Sequence, residues 1–174
     1  GPSVMAGLSQ SAAFPSAAEH VREMLFEPGP TYRYPTFDTY AEGYPDWSDP
    51  RRVGQVDTLR QDAGWRILQG TALASGELFG GCLDVLDWLR GTSAWPVGDE
   101  WEGRLLFIET SEEKPTPLQV ERILRSFGVM GIFDRVAGVL VGRMRDHTPE
   151  ETAAPEAQPT PTRIPFLKVW ARAS

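Results

Sequence analysis

Between Arg104 and Arg143 the chain holds two short apolar runs with a capped helix between them. No other pattern in the sequence restricts the fold as much. "RLLFIE" (104–109) reads as a strand whose apolar run, Leu105 to Ile108, stops on Glu109. "TPLQVERILRSFG" reads as a helix that starts at Thr116, has Pro117 just inside it and ends at Gly128. "VAGVLVGR" (136–143) is apolar apart from its glycines and reads as a buried strand. Upstream, "GWRILQG" (64–70) predicts a strand closed by glycine. "GELFGGCLDVLDWLRGT" predicts a Gly-Gly entry into a helix with Leu83, Leu86 and Leu89 on one side and Gly91 as its stop. Strands alternating with helices predict a mixed α/β domain.

The first part of the chain is organised differently. Ser16 is a candidate cap for a helix over 16–27 with Val21, Leu25 and Phe26 on one side. Residues 28–63 are dense in Pro, Gly, Tyr and Asp and predict a long loop of the kind that binds ligands. The far end changes character again. From Asp146 the composition is that of a linker, with five prolines up to Pro165 and no apolar periodicity. Residues 1–148 therefore form one region, with its α/β core over 64–145. Residues 149–174 form an atypical tail, disordered or altered in frame.

Composition narrows the function classes. A length of 174 residues suits one domain with a core, or one domain with ragged ends. The net charge of −7 argues against nucleic acid as a partner, because such binding draws its affinity from neutralised phosphates. Fifteen arginines against two lysines read as codon bias, since the arginines are scattered. One cysteine, Cys82, with only His20 and His147, makes a metal site improbable, and no cofactor is expected. No apolar run approaches the roughly 20 residues that cross a bilayer, and no export signal opens the chain, so the expectation is a cytoplasmic protein.

Taken alone, Glu109 reads most simply as a carboxylate leaving a strand into water. Glu112 and Glu113 read as solvated turn residues whose charge suits the following helix N-terminus. Trp47 in "YPDWSDP" is equally a packing residue and a stacking platform. Cys82 reads as an inert, buried thiol, and His147 as a solvated histidine in linker sequence. The tryptophans at 88, 95 and 101 read as core or interface.

In their order and spacing, the "GP" opening, the "W-S-D" loop, "GW" before a strand, "GG-x-L" into a helix, "GT", "LFIE" and "GVLVGR" resemble the C-terminal half of the serine LD-carboxypeptidase family. The branch that includes the microcin C self-immunity peptidases is the most similar, and the resemblance runs from Gly1 to about Thr148. It implies a β/β/α swivelling-type C-terminal domain with the N-terminal nucleophile domain missing, and a Ser-His-Glu triad that cleaves peptide or peptidyl-conjugate amides without metal. It makes Glu109 the triad acid and puts Trp47, Asp84 and Glu113 at substrate-facing positions. It also implies a homodimer.

The departures from the family pattern matter as much. Cys82 stands where "GGNL" has asparagine, and some members carry lysine at the place of Glu113. "PRRVGQ" lacks the second tryptophan implied in holding a nucleobase. Aligning the family's last strand on "RIPFLKVWARAS" places Ser174 where the histidine belongs. With neither nucleophile nor histidine, Glu109 has nothing to orient, and the chain alone is expected to be inactive. Two rivals stand beside this reading. One is a non-enzymatic, degenerate or free-standing binding or dimerising module. The other is a carboxylate enzyme pairing Glu109 with Glu112 or Glu113.

Overall fold

The computed structural model describes residues 12–34, 36–43, 45–46, 48–56, 58–70, 73–143 and 169–172. They fall into two compact units, 1–62 and 63–174.

In the first unit, α1 spans Pro15–Leu25. Ser16 does not cap it. Pro15 occupies the first helical turn, where its missing N–H costs nothing, and Phe14 stands at the N-cap with no side-chain hydrogen bond. Arg22 bridges Glu19 and Glu27. The expected loop over 28–63 contains an antiparallel pair, β1 (Thr39–Glu42) and β2 (Thr58–Gln61), with Thr39 opposite Gln61 and Glu42 opposite Thr58. Between them, aspartates fix the turns. Asp46 accepts from the Ser48 amide at 2.9 Å, and Asp49 accepts from the Arg51 amide at 3.0 Å to cap a single 3-10 turn at Pro50–Arg52.

The second unit is built on one sheet in the order β3-β7-β6-β5-β4. Its strands are β3 (Trp65–Gln69), β4 (Leu78–Cys82), β5 (Leu105–Glu109), β6 (Gly138–Val141) and β7 (Val169–Arg172). β4, β5, β6 and β7 run parallel, and β3 pairs antiparallel with β7. α2 (Leu83–Leu89) connects β4 to β5, while α3 (Pro117–Val129) and α4 (Ile132–Arg135) connect β5 to β6. The mixed α/β architecture read from the sequence is the one observed. Most of the tail after 149 lies outside the described residues, and within it 169–172 form β7.

Local chemistry explains where these elements start and stop. Thr116 caps α3 by accepting from the Gln119 amide at 3.3 Å, and Gln119 Oε1 accepts from the Thr116 amide at 2.7 Å, a reciprocal capping box. The helix runs past Gly128 and stops before Gly131, whose φ of 71° only glycine adopts without strain. α2 ends as expected, with Gly91 at a φ of 81° just past its last turn. β4 is the strand that the apolar pattern missed, because its Gly80–Gly81 pair weakens any strand signal. Gly80 is required there: a Cβ would lie 1.8 Å from the Phe107 carbonyl oxygen on β5.

Alternation along β5 sends Leu106 and Ile108 into the core, where they meet Val139 of β6, Leu83 and Leu86 of α2, Phe127 of α3 and Ile132 of α4. Each such side chain contributes about 1.5–3 kcal/mol when fully buried. Trp95 and Trp101 extend this core in edge-on contact with Phe79, at centroid distances of 6.0 and 5.1 Å, and the Trp101 indole donates to the Pro96 carbonyl at 2.8 Å. Trp88 does not join them and is 71% exposed on α2.

Candidate functional site

Parallel sheets bind ligands at the carboxyl ends of their strands, where the loops diverge. At that edge of the second unit, Glu109 ends β5 and Cys82 ends β4, and the two residues are direct partners in the ladder. Odd and even residues of β5 face opposite ways. With Leu106 and Ile108 inward, Glu109 leaves the core and is exposed. Its carboxylate accepts no hydrogen bond among the described residues. Gly142, just beyond β6, lies on its other side. The Gly142 amide donates to the Ile108 carbonyl at 2.7 Å, and a Cβ at Gly142 would lie 3.2 Å from that of Glu109.

Asp84 stands in the first turn of α2, two residues after Cys82, and accepts from the Cys82 thiol at 3.0 Å. Burial by itself would raise the Asp84 carboxyl. Hydrogen bonds from the Ser111 hydroxyl, the Cys82 thiol and the amides of Asp84 and Ser111 outweigh it and hold the carboxyl below the usual aspartate range. The Cys82 thiol moves the opposite way. Burial pushes it up, and the hydrogen bond and charge of Asp84 and the charge of Glu109 add to that, against one amide from Val85. A thiol with a raised pKa is a poor nucleophile at neutral pH, in keeping with an inert Cys82.

The structure thus joins two of the expected site residues, Asp84 and Glu109, through Cys82. Ser111, which the sequence reading passed over, stands beside this arrangement and lowers the pKa of Asp84. Its hydroxyl accepts from the Glu113 amide at 3.3 Å, forming the first turn after β5, and it helps keep Asp84 charged. The only sequence signal for it was a serine two residues past a strand end, ordinary turn chemistry. Glu113 is exposed on that turn, which continues through Lys114 at a φ of 54°. Trp47 and His147 lie outside the described residues. Among the described residues no group of three or more His, Cys, Asp or Glu side chains is placed to hold a metal ion, and no helix is long and apolar enough to cross a membrane.

A model of the LD-carboxypeptidase C-terminal domain matches residues 75–167, just over half of the chain. A comparison with curated protein sequences found no match. Among solved structures, an MccF-like protein from Streptococcus pneumoniae in complex with AMP is 27% identical, with a TM-score of 0.69 over 88% of this chain and 48% of its own. MccF in complex with glutamyl sulfamoyl guanosine is 18% identical, with a TM-score of 0.65 over 90% and 46%. An MccF-like protein from Bacillus anthracis str. Ames is 21% identical, with a TM-score of 0.58 over 79% and 40%. The chain spans about half the length of these structures or less, at 48%, 46% and 40%.

Proposed function

This chain belongs to the LD-carboxypeptidase family as its C-terminal domain, and on that premise we propose that Glu109 is the acid of a Ser-His-Glu triad whose other two members it does not carry. The observation that supports this reading is the state of Glu109: exposed at the carboxyl edge of the sheet, with no hydrogen-bond donor among the described residues occupying its oxygens. A triad acid accepts from the imidazole N–H, fixes the tautomer and stabilises the imidazolium that forms as the serine attacks. This reading gives Glu109 that task and no covalent step of its own. In this reading Asp84, charged and hydrogen-bonded by the Cys82 thiol, faces the substrate beside it, and Glu113 adds a second carboxylate on the neighbouring turn.

The substrate class is a peptide or peptidyl-conjugate amide near a free carboxylate, either an L,D bond in a murein peptide or a toxin conjugate. The MccF relatives are described with AMP and with an aminoacyl sulfamoyl nucleoside. "PRRVGQ" at residues 50–55 offers no aromatic residue to hold a base, which favours the peptide over the nucleotide end as the part recognised. In this reading the complete enzyme is cytoplasmic and homodimeric, and the chain by itself hydrolyses nothing. The test is completion. A chimera carries the upstream half of the S. pneumoniae MccF-like protein and, in place of residues 164–174, the histidine-bearing last strand that the family pattern has. It should hydrolyse L,D-tetrapeptides or aminoacyl sulfamoyl nucleosides, and the unmodified chain should not. Hydrolysis by the unmodified chain would refute the assignment.

A second reading, a binding or dimerising module without catalysis, is favoured by Trp88 and Val85, which expose one apolar side of α2. A chimera that folds but stays inactive on every substrate, with a chain that sediments as a dimer, would support it.

A further inference from the structure

Among the described residues β4 is the outermost strand of its sheet, and its outer edge leads straight into the candidate site. The ladder to β5 uses alternate residues. Leu105 donates to the Glu77 carbonyl at 2.8 Å, and with Leu78 opposite Leu105 the bonded groups on this strand are those of Glu77, Phe79 and Gly81. The N–H and C=O of Leu78 and Gly80 therefore point away from the sheet, and no hydrogen bond reaches them from the described residues. The next residue in that row, Cys82, points its N–H the same way, while its carbonyl opens α2.

An exposed row of unpaired backbone groups is a template for another strand unless it is covered. Among the described residues of the second unit nothing blunts it. Gly80 and Gly81 put no side chain on either face, and a Cβ at Gly81 would meet nothing within 4 Å. Leu78 is 56% exposed at one end of the edge, and α2, which packs on β4, exposes Val85 and Trp88. Acidic side chains stand at both ends: Glu77 before the strand, ion-paired with Arg104 at 3.7 Å, and Asp84 and Glu109 at its close.

We propose that the free edge of β4 binds an extended peptide by strand addition, so that the substrate lies as a sixth strand with one end at the Cys82–Glu109 pair. The occupant is a short peptide and not a second copy of the chain. The edge offers two complete donor–acceptor residues and one further N–H, enough to align a peptide tail but too few to join two folded copies. It also ends at the site instead of running past it. At the usual strand spacing of about 4.8 Å, the added backbone lies roughly 10 Å from that of β5, within reach of the Glu109 side chain and a catalytic group between them. The carboxylates of Asp84 and Glu109, where the edge meets the site, favour a peptide bearing a cation near that end. This inference rests on the reading that the carboxyl edge handles an amide substrate, and it names how that amide is presented.

The test is amide NMR of the chain titrated with the pentapeptide valine–lysine–valine–lysine–alanine, with the same peptide N-methylated at alternate nitrogens as the control. The expected result is shifted and exchange-protected amides at Leu78 and Gly80, with affinity lowered about tenfold or more by N-methylation. Leu78→Pro removes one outward N–H at the first residue of an edge strand, where proline is tolerated. It should weaken binding by about threefold to tenfold while the β5 amides stay protected. Shifts confined to Asp84, Glu109 and Ser111 would overturn strand addition while leaving the site itself standing. Protection of Leu78 and Gly80 without peptide, lost on dilution, would assign the edge to a second copy and overturn it too. Strand pairing that persists in a completed enzyme indifferent to Glu109→Gln would instead separate this inference from the triad reading and leave it intact.

Discussion

Cys82 and Glu109 face each other as ladder partners at the carboxyl ends of two parallel strands, one a thiol kept protonated by burial and the other a carboxylate open to solvent. That pairing ties the "GGCLD" and "LFIE" segments to one spot in the fold.

The thiol should report on its neighbours. The charge of Asp84 is one cause of its raised pKa, so Asp84→Asn should lower that pKa and speed alkylation of Cys82 by iodoacetamide at pH 8 severalfold. An unchanged alkylation rate would mean that burial alone sets it.

Asp84 itself links the site to acid stability. Its carboxyl is held below the usual range in the folded chain, so its contribution is present above the unfolded value of about 3.9 and is lost as pH falls through the folded value. Asp84→Asn and Ser111→Ala should both flatten the acid limb of a stability-against-pH curve measured by urea unfolding. Ser111→Ala does so by raising the folded pKa of Asp84 towards its unfolded one.

Gly80→Ala should be among the most damaging single changes in the chain. The new Cβ would have to lie 1.8 Å from a backbone oxygen of β5, and neither strand can yield without breaking the ladder. A loss of about 3–5 kcal/mol, or failure to fold, is expected in chemical denaturation. Gly81→Ala, which meets no such atom, should cost only the strain of its backbone conformation.

The cap of α3 is a smaller, separable test. Thr116→Ala removes one side of the capping box and should cost about 1 kcal/mol, seen as a lower unfolding midpoint with the site intact.

How much of this was legible beforehand depends on the kind of signal. β5, α3 and β6 were readable because apolar runs and capping residues are local, and Thr116–Pro117 states its own role. β4 was not readable, since glycine carries no strand signal and the reason for Gly80 is the carbonyl of Phe107, distant in sequence. The hairpin of β1 and β2 was hidden in a stretch rich in Pro and Gly, where pairing partners lie about twenty residues apart. Within the site, Glu109 stood out as a charge ending an apolar run, and its weight came from the family resemblance. Ser111 could not be found, because a serine in a turn looks the same whether or not it holds a carboxylate.

The central claim is that Glu109 orients a histidine that this chain does not carry. It is tested most directly by the hydrolysis rate of the completed chimera with and without Glu109→Gln. The account predicts a fall in kcat on the order of 10⁴-fold for Glu109→Gln, as expected when a triad acid is neutralised, with Glu112→Gln and Glu113→Gln keeping kcat within about tenfold. A Glu109→Gln chimera that turns over within tenfold of the parent would contradict it.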